Sequence, residues 1–181
     1  MTSFFTEEEL YAIGFKNIGK NVLISRKASI YSPERVNIGN NVRIDDFCIL
    51  SGSIKLGSNI HISAFCALYG ANEIEFEDYS GASPRSTIFS AMDDFSGEYL
   101  IGPIHPKELT NVTGGKVTLR RFSQLGAGTI VFPNIEIGEG AVTGSMTLVN
   151  KSLKPWTVNI GMPVNKSWAR TQEIKRKIYE K

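Results

Sequence analysis

Residues 38–67 read IGNNVRIDDFCILSGSIKLGSNIHISAFCA, which cuts into the sixes IGNNVR, IDDFCI, LSGSIK, LGSNIH and ISAFCA. Each hexad opens on a large apolar residue and carries a small or aliphatic one at its fifth position. A period of six fits neither a helix of 3.6 residues per turn nor uninterrupted strand alternation. It fits short strands joined by turns, three hexads to a triangular coil, with positions one and five pointing inward. Gly or Asn at position two or three is expected to supply the turn geometry. The coils then stack by parallel hydrogen bonding at roughly 4.8 Å around a column of Ile, Leu and Val.

The same register extends in both directions. Hexad starts fall at Ile18, Ile24, Ile30, Ile38, Ile44, Leu50, Leu56, Ile62, Leu68, Phe76, Ala82 and Ile88. They resume at Leu119, Leu125, Val131, Ile137, Thr143 and Val149, and all but Ala82 and Thr143 are large and apolar. Coil starts Ile18, Ile38, Leu56 and Phe76 lie 20, 18 and 20 residues apart, the extra pairs forming small corner loops near ERVN and ANEI. Phe76 to Leu119 is 43 residues, one coil plus an insertion over about 94–118.

The chain is therefore read as one domain, an all-β solenoid over 15–165. A helical cap occupies 1–14, where Thr6 and Glu9 form a capping box and Gly14 closes the helix. A C-terminal helix is expected over 166–181, with Trp168, Ile174 and Ile178 as packing residues, so that both open ends of the stack are covered.

Composition narrows the functions. A formal net charge of +2 on 181 residues gives no electrostatic case for nucleic acid. No apolar run reaches membrane-spanning length, and MTSFFTEEEL lacks the features of a secretion signal, so the cytoplasm is the expected compartment. Two cysteines and two histidines make neither a disulfide framework nor a zinc site, and no metal is expected. Cys48 and Cys66, both at position five, are read as small core residues. No Walker loop, Rossmann fingerprint or G-x-S-x-G elbow is present.

The insertion holds EYLIGPIHPKELTN, residues 98–111, and with it His105, while His61 lies in LGSNIH. The hexads, the looped-out IHP and the closing run IGEGAVTGSMTLVNKSLKPWTVNIGMP resemble the hexapeptide-repeat acyltransferases. Within that superfamily the likeness is to galactoside, maltose and surface-polysaccharide sugar O-acetyltransferases. The resemblance implies a left-handed parallel β-helix, a homotrimer with sites between neighbouring subunits, and acetyl-CoA as donor. It matches His105–Pro106 to the family's general base. It matches Gly126, Ala127, Gly144, Ser145, Asn150 and Lys151 to the CoA cleft. Where the family carries an assisting Asn, this chain has Cys66 or Ala67, and Asn72 is the nearest Asn.

Acyl transfer from a thioester needs a base, an oxyanion donor and alignment of two substrates. Imidazole suits the first, because it titrates near neutrality. His105 is the leading base and His61 the reserve, although either also reads as an ordinary surface histidine. Asp93 and Asp94 either orient a histidine and bind sugar hydroxyls or form a solvated turn. Arg85 is a candidate for a substrate carboxylate or phosphate, or for a surface ion pair. Trp156 either covers the cofactor or packs. Tail cations such as Lys166 and Lys175 either attract CoA phosphates or line a solvated helix. The expected activity is acetyl-CoA-dependent O-acetylation of a sugar or glycan hydroxyl in polysaccharide biosynthesis. The alternatives are N-acetylation of a nucleotide-linked amino sugar, or a non-catalytic trimeric β-helix scaffold.

Overall fold

The computed structural model describes residues 3–179. About seven coils stack into a solenoid whose strands lie on three faces. The first face carries Asn17–Ile18, Val36–Ile38, Val117–Leu119 and Glu136–Ile137, joined by the far ends of Ile49–Leu56 and Ala67–Phe76. The second carries Val22–Ile24, Val42–Ile44, Ile60–Ile62, Gly81–Ala82, Gln124–Leu125, Val142–Thr143 and Thr157–Gly161. The third carries Ser29–Tyr31, the near ends of the two long strands, Thr87–Phe89, Ile130–Val131 and Leu148–Val149. Equivalent residues pair coil to coil in parallel register, Ile38 with Leu56, Ile44 with Ile62 and Leu50 with Leu68.

Positions one and five point inward. Ile24, Ile44, Cys48, Leu50, Cys66, Leu68, Leu125 and Val131 are fully buried. Each large aliphatic side chain so enclosed contributes about 1.5–3 kcal/mol of transfer free energy. The cysteines are free, their thiols reaching the Ser63 and Ser83 carbonyls at 3.1 and 3.2 Å. The adjacent Cys48 thiol and burial push the Cys66 thiol up, which suits a core residue and not a nucleophile.

The turns differ from the sequence reading. The left-handed residue stands at position four: Asn21, Asn41, Asn59, Tyr79, Phe122 and Trp156 between first and second faces, and Phe47, Phe65, Arg85 and Met146 between second and third. The position-two glycines serve space instead. A Cβ on Gly39 would lie 2.5 Å from the Gly57 carbonyl oxygen, so only hydrogen fits between stacked coils. We call these boundaries the first and second corners. The third corner, between third and first faces, holds the irregular loops, including the 3-10 turn Pro33–Arg35 and left-handed Glu73.

The insertion leaves the third corner between the fourth and fifth coils. Its neck is an antiparallel ribbon, Ala91–Asp93 against Val112–Gly114. The coil resumes at Val117, which pairs with Ile74, slightly earlier than the sequence boundary of 118. The stack is unbroken beneath the arm, with Phe76 beside Leu119 and Ile88 beside Val131.

At the N-terminal end, helix α1 (Glu7–Ile13) has the full Thr6–Glu9 capping box and left-handed Gly14 at its C-cap. The C-terminal end departs from expectation. Val164–Ala169 is a strand that folds back on Thr157–Gly161, and helix α2 spans Glu173–Tyr179. The expected helix thus begins seven residues late, and its residues 180–181 lie outside the described residues. Hairpin pairing supplies the backbone partners that a helix over 166–169 would otherwise provide, and it leaves Trp168 half exposed instead of packed. Ile174 and Ile178 do face the solenoid, lining a groove with Tyr79 and Phe122. No described helix is long and apolar enough to cross a membrane.

Candidate active site

The predicted site residues sort by corner. Arg85, Gly126, Ala127, Gly144 and Ser145 gather at the second corner in coils four to six. Their stacking is tight, since a Cβ on Gly126 would stand 2.6 Å from the Gly144 carbonyl carbon. Gly128 N–H donates to Pro84 O at 2.9 Å and Met146 N–H to Ala127 O at 2.7 Å, tying the three turns together. Inside, the Thr143 hydroxyl accepts from Gly126 N–H at 2.9 Å and meets Thr129 Oγ1 at 2.8 Å. The glycines fit this packing, since a Cβ would meet Met146 Sδ at 2.5 Å on Gly128 and Ile160 Cγ2 at 2.7 Å on Gly144.

Asn72, Asp93, Asp94 and His105 belong to the third corner and its arm. Buried Ser90 is the hub there: its hydroxyl accepts from Asn72 N–H and donates to Tyr69 O, and its carbonyl takes the Asn72 amide and Gly115 N–H. Asn72 therefore fixes the neck of the arm instead of pointing at a ligand. Asp94 is likewise occupied, accepting from Ser96 N–H at 2.7 Å and the Asn111 amide at 2.8 Å. Those bonds, the Ser96 backbone first, hold its carboxyl below the usual range. Asp93 accepts one long bond, 3.3 Å from Gly102 N–H, and keeps most of its acceptor capacity. His105 is half-buried beyond it, with no hydrogen bond or ion pair among the described residues.

His61 stands on a strand of the second face and not at a corner. Its Nε2 lies 2.7 Å from Asp45 Oδ2, and Asp45 Oδ1 accepts from Arg43 Nε at 2.7 Å. Burial pushes the Asp45 carboxyl up, but the bonds from Arg43 and His61 outweigh it and leave a net lowering. Asp45 and Arg43 were missed in the sequence, although the 18-residue spacing of Arg43 and His61 puts them side by side. Gln124 fills the same face: its amide oxygen occupies the space above Gly81, and its Nε2 lies 3.4 Å from Ser83 Oγ.

The remaining cofactor candidates stand elsewhere. Asn150 and Lys151 are exposed at the third corner, two coils beyond the arm. Lys151 lines a hollow of about 490 Å³ with Lys154 and Lys166. Trp156 is buried at the first corner, against Gly140 and 6.1 Å from the Phe122 ring, with Lys175 Nζ 4.8 Å above it. Its surroundings are those of a packing residue. A single chain thus carries the glycine-lined edge and the histidine arm on different corners, with the third face between them.

Comparison with known proteins agrees with this architecture. No family model matches the chain. It is 37% identical over 175 residues to dTDP-4-amino-4,6-dideoxy-D-glucose acyltransferase of Escherichia coli, covering 95% of this chain and 91% of that protein. It is 50% identical to AntD, an N-acyltransferase from Bacillus cereus solved with dTDP and 3-hydroxybutyryl-CoA. That alignment has a TM-score of 0.96 and covers 99% of this chain and 96% of AntD. A variant of AntD has been solved with dTDP-4-amino-4,6-dideoxyglucose and coenzyme A. A maltose O-acetyltransferase from Clostridium difficile is 22% identical with a TM-score of 0.57, over 91% of this chain and 74% of that one, a likeness of fold alone. On the strength of the coils and these relatives, the chain belongs to the hexapeptide-repeat acyltransferase superfamily.

Proposed function

We propose that this protein transfers an acyl group from acyl-CoA to the amino group of a nucleotide-linked 4-amino sugar. The observation that carries this reading is the 50% identity to AntD over 99% of the chain, a span that includes the arm. It favours the N-acyl alternative over O-acetylation of a glycan. Acetyl-CoA is the simplest donor, and the glycine-lined second corner is its seat.

The chemistry is a direct transfer. The free amine attacks the thioester carbonyl, a C–N bond forms and the C–S bond breaks. The ammonium proton leaves to a base, and the departing thiolate of CoA takes a proton. Backbone N–H groups near Gly126–Gly128 steady the oxyanion. His105 and Asp93 are the acceptors available for the ammonium proton, with His61 in reserve on the second face. Asn150, Lys151 and Trp156 contribute less directly, the lysine through its charge and the tryptophan through packing.

The working unit is proposed to be a homotrimer. Two observations support it: the glycine edge and the arm occupy different corners of one chain, and the arm exposes Phe95, Ile101, Ile104 and Val112. A neighbouring copy would cover those side chains and bring its arm to the second corner.

An amine already in its free-base form needs little help from a protein base, whereas a sugar hydroxyl needs it throughout the attack. His105→Ala should therefore lower kcat less than about tenfold on dTDP-4-amino-4,6-dideoxyglucose, against the 10²–10⁴-fold typical of a required base. The assay is release of free CoA thiol with acetyl-CoA as donor. Turnover on maltose or galactosides, with none on the amino sugar nucleotide, would sink the reading.

A further inference from the structure

The second corner continues past the glycine edge toward the N-terminal end, and there its side chains change character. Four residues at hexad position four align in coils one to four, Lys27, Phe47, Phe65 and Arg85, the last three with left-handed backbone. The two rings stack with centroids 5.0 Å apart, Lys27 Nζ lies 5.3 Å from the Phe47 centroid and Arg85 Cζ 4.9 Å from that of Phe65. Left-handed backbone is costly for large side chains, yet Phe47 and Phe65 adopt it and remain almost half exposed, at 49% and 47%. A core demand does not explain them.

We infer that this stretch seats the nucleoside diphosphate of the acceptor, the base against Phe47 and Phe65 and the diphosphate on Arg85. The inference rests on the nucleotide-linked acceptor proposed above. Beside the rings lies an open hollow of about 460 Å³, walled by Phe4, Phe47 and Phe65 and floored by Ala64, within the range of small-molecule sites. Apolar ring edges there suit a base, which is planar and largely apolar on its faces. The hollow also contains Asp45 and Asp46, but each is paired with a cation: Asp45 with Arg43 at 2.7 Å and Asp46 with Lys27 at 3.0 Å. Arg85 has no carboxylate partner among the described residues, so its charge is held in place on Phe65 and is available to an anion.

The order along the corner fits the same molecule. Phe47 is in coil two, Phe65 in coil three, Arg85 in coil four and Gly126 in coil five. At roughly 4.8 Å per coil the run from Phe47 to Gly126 is about 14 Å. Base, diphosphate and sugar then follow one another toward the glycine edge, where the acyl thioester waits. Acceptor and donor approach that edge from opposite ends of the solenoid and do not compete for space.

The test is calorimetric titration of the full chain with dTDP alone and, separately, with CoA alone. Asn replaces the turn residues, because it tolerates left-handed backbone. Arg85→Asn should weaken dTDP about tenfold and flatten its dependence on salt. Phe65→Asn should weaken dTDP about fivefold, in keeping with loss of an aromatic contact. CoA affinity should stay within about twofold in both, which also reports an intact fold. If both variants bind dTDP as the unaltered protein does, the seat is elsewhere and the inference falls. If the unaltered protein binds CoA but not dTDP, the nucleotide-linked reading itself falls.

Discussion

The first and second corners ask the same thing of the backbone, a left-handed residue at position four of every hexad but that of Lys27, and answer it with different side chains. The first begins as a ladder, Asn21 amide to Asn41 at 2.9 Å and Asn41 amide to Asn59 at 3.1 Å. It passes into Tyr79, Phe122 and Trp156, over which α2 lies. Arg121 sits among the Tyr79, Phe122 and Tyr179 rings at 5.1, 5.1 and 5.2 Å, and Arg170 donates to the Phe122 and Gly140 carbonyls. Within one chain no helix covers the second corner, which is aromatic and cationic in its first half and holds Gly128 and exposed Met146 in its second. One backbone solution therefore serves both a sealed seam and an open one, and the cover decides which side chains are free for ligands.

Three experiments can break or sharpen that contrast. Trp156→Ala at the sealed corner removes a buried indole seated on Gly140 and should cost about 3–5 kcal/mol by denaturant unfolding. CoA affinity should be unchanged, and a large loss of CoA binding in a folded variant would move Trp156 to the ligand side. Gly39→Ala tests whether position two is about space. Its Cβ meets backbone, so a loss of about 1–3 kcal/mol is expected from overpacking. Asn41→Gly, two residues away, should cost about 1 kcal/mol because two exposed ladder bonds are lost.

The smallest effect concerns Asp45 at the entrance to the second corner. Its folded carboxyl lies below the ordinary value of 3.8, so its contribution is present above that pH and is lost as pH falls through the lower folded value. Asp45→Asn should therefore unfold at lower urea than the unaltered protein at pH 7, by about 0.5 kcal/mol. The gap should narrow as pH falls below 3.8. A gap that does not change with pH would show that packing, and not charge, is what Asp45 provides.

Much of this was legible in the residues. The 18-residue spacing gave the coil stack, and the 43 residues from Phe76 to Leu119 gave one coil plus an arm, as the Phe76–Leu119 pairing bears out. Thr6, Glu9 and Gly14 gave α1. The turn position was hidden because Phe47, Phe65, Tyr79 and Phe122 are poor turn formers by composition, and only tertiary stacking repays their strain. The corner on which each candidate stands was also obscured, since the arm offsets Arg85 from Gly128 by 43 residues. Subtracting the arm's 25 would have aligned them. Asp45 and Arg43 escaped for a different reason: their grouping with His61 crosses coils, and a linear scan registers neighbours along the chain.

The neck of the arm has a consequence for how such proteins change over generations. Ala91–Asp93 and Val112–Gly114 close on each other before the chain re-enters the stack, and Ser90 and Asn72 fasten that closure from below. Beyond that closure the segment can lengthen or shorten without altering the backbone pairing of the coils that carry it.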